Sequence, residues 1–126
     1  MAFKEVKLTA INDVKIAITY RASPMPVLAV YDYDLKTSDA NPPIEHKKGD
    51  NQNTKDDRYS LPTPIDTNKD RYILISSEIA AIDTDSDFDI IIEIFQDGFK
   101  TDTLTDSGSV KGDGPSVGKI DMIKFK

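Results

Sequence analysis

The sequence predicts an all-β fold, a mostly antiparallel sandwich of two sheets, and three observations carry that expectation. Short runs dense in Val, Ile, Tyr and Phe recur along the chain, and turn-forming residues separate them. No stretch longer than about two helical turns shows the apolar period of an amphipathic helix. The 126 residues supply material for one hydrophobic core, so a single domain spanning 1–126 is expected. Apolar residues make up only 38% of the chain and charged residues 30%, yet the apolar ones are gathered into runs, so the chain is expected to fold around a lean core. Cysteine is absent from the sequence, which excludes disulfides, thiolate metal sites and a cysteine nucleophile.

Taken in order, Phe3 to Leu8 reads as a short mixed strand. From Val14 to Tyr20 the alternation is clean, with Val14, Ile16, Ile18 and Tyr20 on one face, and Ile11-Asn12-Asp13 forms the intervening turn. Pro24 and Pro26 cannot donate ladder hydrogen bonds and punctuate the chain before a third strand from Val27 to Tyr33, ending at Asp34. Residues 35–69 are rich in Asp, Asn, Lys, Pro and Thr and read as one long polar loop. Tyr59, Leu61 and Ile65 are expected to pin this excursion, which has room for a short edge strand and is the first place to look for function.

Arg71 to Ser76 and Phe88 to Gln96 carry the densest β-branched and aromatic runs and are predicted as central strands. Ile79 to Ile82 fits either a strand continued through a bulge or a single helical turn. Asp97-Gly98 supplies a tight hairpin turn, followed by a return strand from Phe99 to Leu104. The glycine-rich stretch 105–118 reads as a loop. In the closing strand, Lys119 to Phe125, the apolar phase slips by one residue, and a β-bulge between Met122 and Ile123 would turn both pairs inward. The count is seven or eight strands, and an immunoglobulin-like, jelly-roll or C2-like topology satisfies the pattern equally.

The net charge of −6, with Lys and Arg scattered, argues against nucleic acid as a partner. No run approaches the roughly 20 apolar residues of a transmembrane span, and the first residues lack the apolar stretch of a secretory leader. A cytoplasmic origin is the expectation, with export without a classical leader as its alternative. Catalytic chemistry finds little support. His46, alone of its type, reads as an exposed loop residue with no nucleophile at hand. Gly114 and Gly118 are too closely spaced for a phosphate loop, and Ile120 begins a strand where that motif needs a helix. Carboxylates are so abundant that a glycosidase-like pair would be met by chance.

The remaining chemical signal is acidic. Residues 83–106 hold eight Asp and Glu against Lys100 alone, −7 in all, so the rest of the chain is about +1. Within that segment Asp83, Asp85, Asp87 and Asp89 alternate, and four carboxylates so close call for solvent or a cation. Calcium, a hard ion taking six to eight oxygens, is the natural candidate, with Asp32, Asp34, Asp83, Asp85 and Asp87 as its ligands should the loops meet. Asp66, Asn68 and Asp70 form a further alternating oxygen set. An EF-hand is excluded, because Phe88 and Ile94 stand where its glycine and bidentate glutamate belong. The competing reading makes these aspartates turn residues that bond nearby amides.

Two functions are therefore expected from this sequence. The first is a non-enzymatic protein-interaction or self-assembly module, using the long loop or a strand edge to bind a protein partner or its own copies. The alternative is a calcium-dependent module, lectin-like or C2-like, taking a carbohydrate or lipid ligand, with Tyr31, Tyr33 and Tyr59 available for stacking on sugar.

Overall fold

The computed structural model describes residues 1–37, 41–52 and 57–126, and among them nine strands form the fold. They are β1 (Ala2–Val6), β2 (Val14–Ser23), β3 (Val27–Lys36), β4 (Glu45–Asp50), β5 (Asp57–Ser60), β6 (Tyr72–Ala81), β7 (Ser86–Gln96), β8 (Phe99–Val110) and β9 (Val117–Phe125). One sheet has the order β1-β9-β6-β3-β4 and the other β5-β2-β7-β8. The all-β, two-sheet expectation holds, with two corrections: the strands number nine, and β1 runs parallel to β9 while every other neighbouring pair is antiparallel.

The long polar segment, where room for one short edge strand was expected, holds two strands. Of residues 35–69, β4 and β5 are edge strands, each hydrogen-bonded on one side only, to β3 and β2. Charged residues such as those of Glu45–Asp50 suit an edge, because they discourage pairing with another chain while the backbone ladder holds the strand in place. Propensity misses such strands, since their side chains are not selected for packing. Leu61 and Ile65 are buried as expected, and Tyr59 packs against the core from the partly buried face of β5. Residues 38–40 and 53–56 of this segment lie outside the described residues. A single turn of 3-10 helix, Ile65–Asn68, follows β5, and the buried Asn68 amide ties it by donating to the carbonyls of Pro62 (2.9 Å) and Ile65 (3.0 Å).

Three local expectations change. β6 continues through Ile79 to Ala81 in unbroken register with β3, so that run is plain strand, without bulge or helical turn. β8 extends to Val110 because it pairs along the length of β7, and cross-strand pairing outweighs the weak propensity of its Ser, Asp and Gly residues. The bulge expected in β9 is absent, since β9 pairs with β6 in continuous register; a register shift instead occurs between Ile94 and Phe95 of β7, where β8 accommodates an extra residue.

Inward-facing isoleucines of β2 and β7, among them Ile16, Ile18, Ile90, Ile92 and Ile94, meet Leu35, Ile73, Ile75, Ile123 and Phe125 of the other sheet. Beside them four tyrosines form a contiguous ring cluster. Tyr33 stacks on Tyr59 (centroids 4.6 Å apart), Tyr31 meets Tyr59 edge-on (6.3 Å) and Tyr31 stacks on Tyr20 (5.9 Å). Tyr31 and Tyr59 share a hydroxyl bond of 2.6 Å, and the Tyr31 hydroxyl also bonds the Asp57 carboxylate. The Tyr31 ring passes over Gly49 of β4, where a Cβ would fall 2.3 Å from its Cζ.

Candidate functional site

The predicted calcium ligands divide into two groups that the fold keeps apart. Asp32 and Asp34 alternate with the buried residues of β3 and project from the outer face of the five-stranded sheet. There they meet basic residues of β4. His46 Nδ1 bonds Asp34, His46 Nε2 lies 3.7 Å from Asp32, and Lys48 Nζ lies 3.4 Å from Asp32. His46 is thus a strand residue between two aspartates, exposed as expected but not in a loop. Val27 stands opposite Ala81 and Asp32 opposite Ser76. Asp32 is therefore separated from the turn after Ala81 by roughly 17 Å of strand.

Asp83, Asp85 and Asp87 lie at that turn and at the start of β7. Asp85 accepts the Gly112 amide at 2.9 Å and Lys111 Nζ at 3.3 Å, and those bonds, the amide first, hold its carboxyl below the usual carboxylate range. Asp87 takes the Ser109 hydroxyl (2.6 Å) and Asp89 the Ser107 hydroxyl (2.5 Å), each across the β7–β8 ladder. They line a shallow depression of about 550 Å³ over β2, β7 and β8, together with Arg21 and Ser23. Among the described residues no three His, Asp or Glu side chains converge in a group that could hold a metal ion.

Asp97 illustrates the structural use of an acid in this fold. Both Asp97 and Gly98 have positive φ (49° and 88°), forming the β7–β8 turn. The Asp97 carboxylate accepts the amides of Ile11 (2.8 Å), Asn12 (2.9 Å) and Asp13 (3.0 Å), and these hold its carboxyl below the usual range. Next to it the buried Gln96 takes the amides of Thr9 (2.7 Å) and Ala10 (3.0 Å) and donates to the Lys7 carbonyl (3.0 Å). Two adjacent side chains therefore fix the connection from β1 to β2.

Of the tyrosines expected to meet sugar, Tyr31 is 4% exposed and Tyr33 fully buried, while Tyr59 is partly buried with its ring against both. Burial pushes the phenols of Tyr31 and Tyr33 above their ordinary pKa, ahead of the bonds to Asp57 and Tyr59 for Tyr31 and of the nearby Glu45 charge for Tyr33.

What sequence reasoning missed lies on β9. Ile120 and Met122 face outward and Asp121 inward, the reverse of the usual division. Phe3 and Leu74 stand opposite Met122 on the two flanking strands, giving an apolar row on the outer face of the five-stranded sheet. Phe3 and Ile120 are each 49% exposed. The signal was present as the phase slip in Lys119–Phe125, but it resolves by burying an aspartate.

No family model matches the chain, and neither does any curated protein or solved structure. The described residues contain no helix long and apolar enough to cross a membrane.

Proposed function

We propose that this chain is a non-enzymatic interaction module that associates with a second copy of itself through the outer face of the five-stranded sheet. The observation carrying this reading is the inverted alternation of β9, with Ile120 and Met122 outside and Asp121 inside. Leaving apolar side chains in water forgoes burial, and a conflict between local pattern and fold is expected where function requires it. Covering the outer face removes the apolar half of that conflict.

The strand edges are weaker candidates. β4 is charged along most of its length, and β8 turns Asp102 and Asp106 inward, both of which oppose edge pairing. A second copy is the favoured occupant because the face complements itself. Register aligns Glu5, Lys124, Tyr72 and Lys36 in one row and Phe3, Met122, Leu74 and Asp34 in the next. A twofold axis along the strands, midway between β9 and β6, sets Met122 of one copy on Leu74 of the other and Glu5 opposite Lys36, and it brings Phe3 over Asp34, whose carboxylate stays bonded to His46, with the sheets about 10 Å apart.

Sedimentation velocity over a wide concentration range tests the reading. The expected result is a mass rising toward that of a dimer, with Leu74→Lys or Met122→Lys shifting the dissociation constant by more than about tenfold, since each forfeits the burial of a large apolar side chain. Glu5→Lys should weaken association, and Glu5→Lys combined with Lys36→Glu should restore it. A chain that remains monomeric at every concentration overturns the proposal.

A further inference from the structure

Asp121 points into the sandwich from β9 and is fully buried. Asp106 points inward from β8, and its carboxyl group faces that of Asp121, close enough for the two to share a hydrogen bond. One oxygen of each is engaged: Asp106 Oδ1 receives Lys119 Nζ at 3.4 Å, and Asp121 Oδ1 receives the Ala2 amide at 3.3 Å. The second oxygen of each, Oδ2, is buried and receives a hydrogen from no other group. Carboxylates only accept hydrogen bonds, so two in contact are bonded only when one carries a proton.

The surroundings supply no better solution. Lys119 of β9 and the amino group of Met1 act on Asp106. The Tyr20 hydroxyl of β2 is paired with Ser77 of β6 at 2.7 Å, and β7 presents Ile90 opposite Asp106. Lys4 of β1 and Asp102 of β8, on the same inward-facing phases, are the nearest further charges along those strands. Two ionised carboxylates here would be both desolvated and mutually repelled.

We infer that Asp106 and Asp121 hold one proton between them, and that this shared proton fastens the flank of the sandwich where β8 faces β1 and β9. Burial first, then the bond and charge of Asp106, push the Asp121 carboxyl up to about 7. Asp106, against its own burial, is held below the usual range by the bond from Asp121 and by Lys119. The unfolded chain releases an aspartate proton near pH 3.9, so what Asp121 contributes is complete below about that value and is lost as pH rises to about 7. The contribution of Asp106 has the opposite sign: it is present above about pH 3.9 and lost as pH falls through its lowered value. Above about pH 7 the two carboxylates repel, and the first residues of β1, anchored through the Ala2 amide, loosen with them.

Carbon-13 NMR of the aspartate side chains, with amide exchange in β1, β8 and β9, tests this on the whole chain. The expected result is an Asp121 resonance with its midpoint near 7. Amides of β1 and β9 should open about tenfold more often above that midpoint than below it, after correction for the intrinsic rate. Asp121→Asn, which donates to Asp106 at every pH, should abolish that dependence; Asp106→Asn provides the same readout should the first variant fail to fold. An Asp121 midpoint in the ordinary carboxylate range, or an asparagine variant retaining the wild-type pH dependence, overturns the inference. So does millimolar calcium lowering the midpoint, which would mark a cation site.

Discussion

Replacing Gly49 by alanine tests how tightly the tyrosine cluster is built. The added Cβ would lie 2.3 Å from Tyr31 Cζ and Oη and 2.7 Å from Cε1. Carbon atoms in contact sit about 3.5–4.0 Å apart, so the ring must move by more than about 1 Å. It has little freedom to do so, being bonded to Asp57 and Tyr59 and in ring contact with Tyr20 and Tyr59. Overpacking costs about 1–3 kcal/mol, and loss of two hydroxyl bonds adds about 1 kcal/mol each. Relief of glycine's backbone entropy returns about 0.5–1 kcal/mol. The net expectation is a loss of about 3 kcal/mol, which at roughly 2 cal/mol/K of unfolding entropy per residue lowers Tm by about 11 °C. Calorimetry of Gly49→Ala, Tyr31→Ala and the double variant measures it, and with Tyr31 truncated the alanine should cost almost nothing. A Gly49→Ala chain melting within about 2 °C of wild type, equivalent to roughly 0.5 kcal/mol, would refute the packing argument.

Gln96→Leu should destabilise the chain by about 2 kcal/mol, because the amides of Thr9 and Ala10 and the Lys7 carbonyl lose their partner in a partly exposed connection that the buried Gln96 anchors; urea unfolding checks this, and a loss below about 0.5 kcal/mol would mean that water replaces the side chain. Calcium at millimolar concentration, added after EDTA, should leave Tm unchanged, since Asp85 and Asp87 are engaged by Gly112, Lys111 and Ser109 and Asp32 is remote from them. A gain of about 2.7 kcal/mol at a hundredfold excess over the dissociation constant would instead revive the lectin-like or C2-like reading.

The architecture was legible where side chains pack. Val14 to Tyr20, Val27 to Tyr33 and Ile90 to Phe95 announce their strands because alternation or β-branching there answers to a buried face. It was illegible in β4, β5 and the far half of β8, which are held by a backbone ladder that places little demand on residue type. The acidic cluster was visible as composition, but its use was not: Asp85 and Asp97 bind amides distant in sequence, and only the folded loops reveal those partners. Nothing in sequence spacing brings Asp106 and Asp121 together, since β8 and β9 lie in different sheets.

The bulge expected in β9 and its absence share one physical cause. β9 is an interior strand, paired with β1 on one side and β6 on the other, so an inserted residue would break two ladders at once. Each ladder bond lost in the interior costs about 1 kcal/mol or more, and the residues beyond the bulge would exchange faces. Keeping the register costs the burial of Asp121 and the exposure of Ile120 and Met122. A proton shared with Asp106 would reduce the first cost, and a second copy on the outer face would reduce the next. The two proposals are independent in their tests, yet both answer the single-residue mismatch between the pattern of β9 and its place in the sheet.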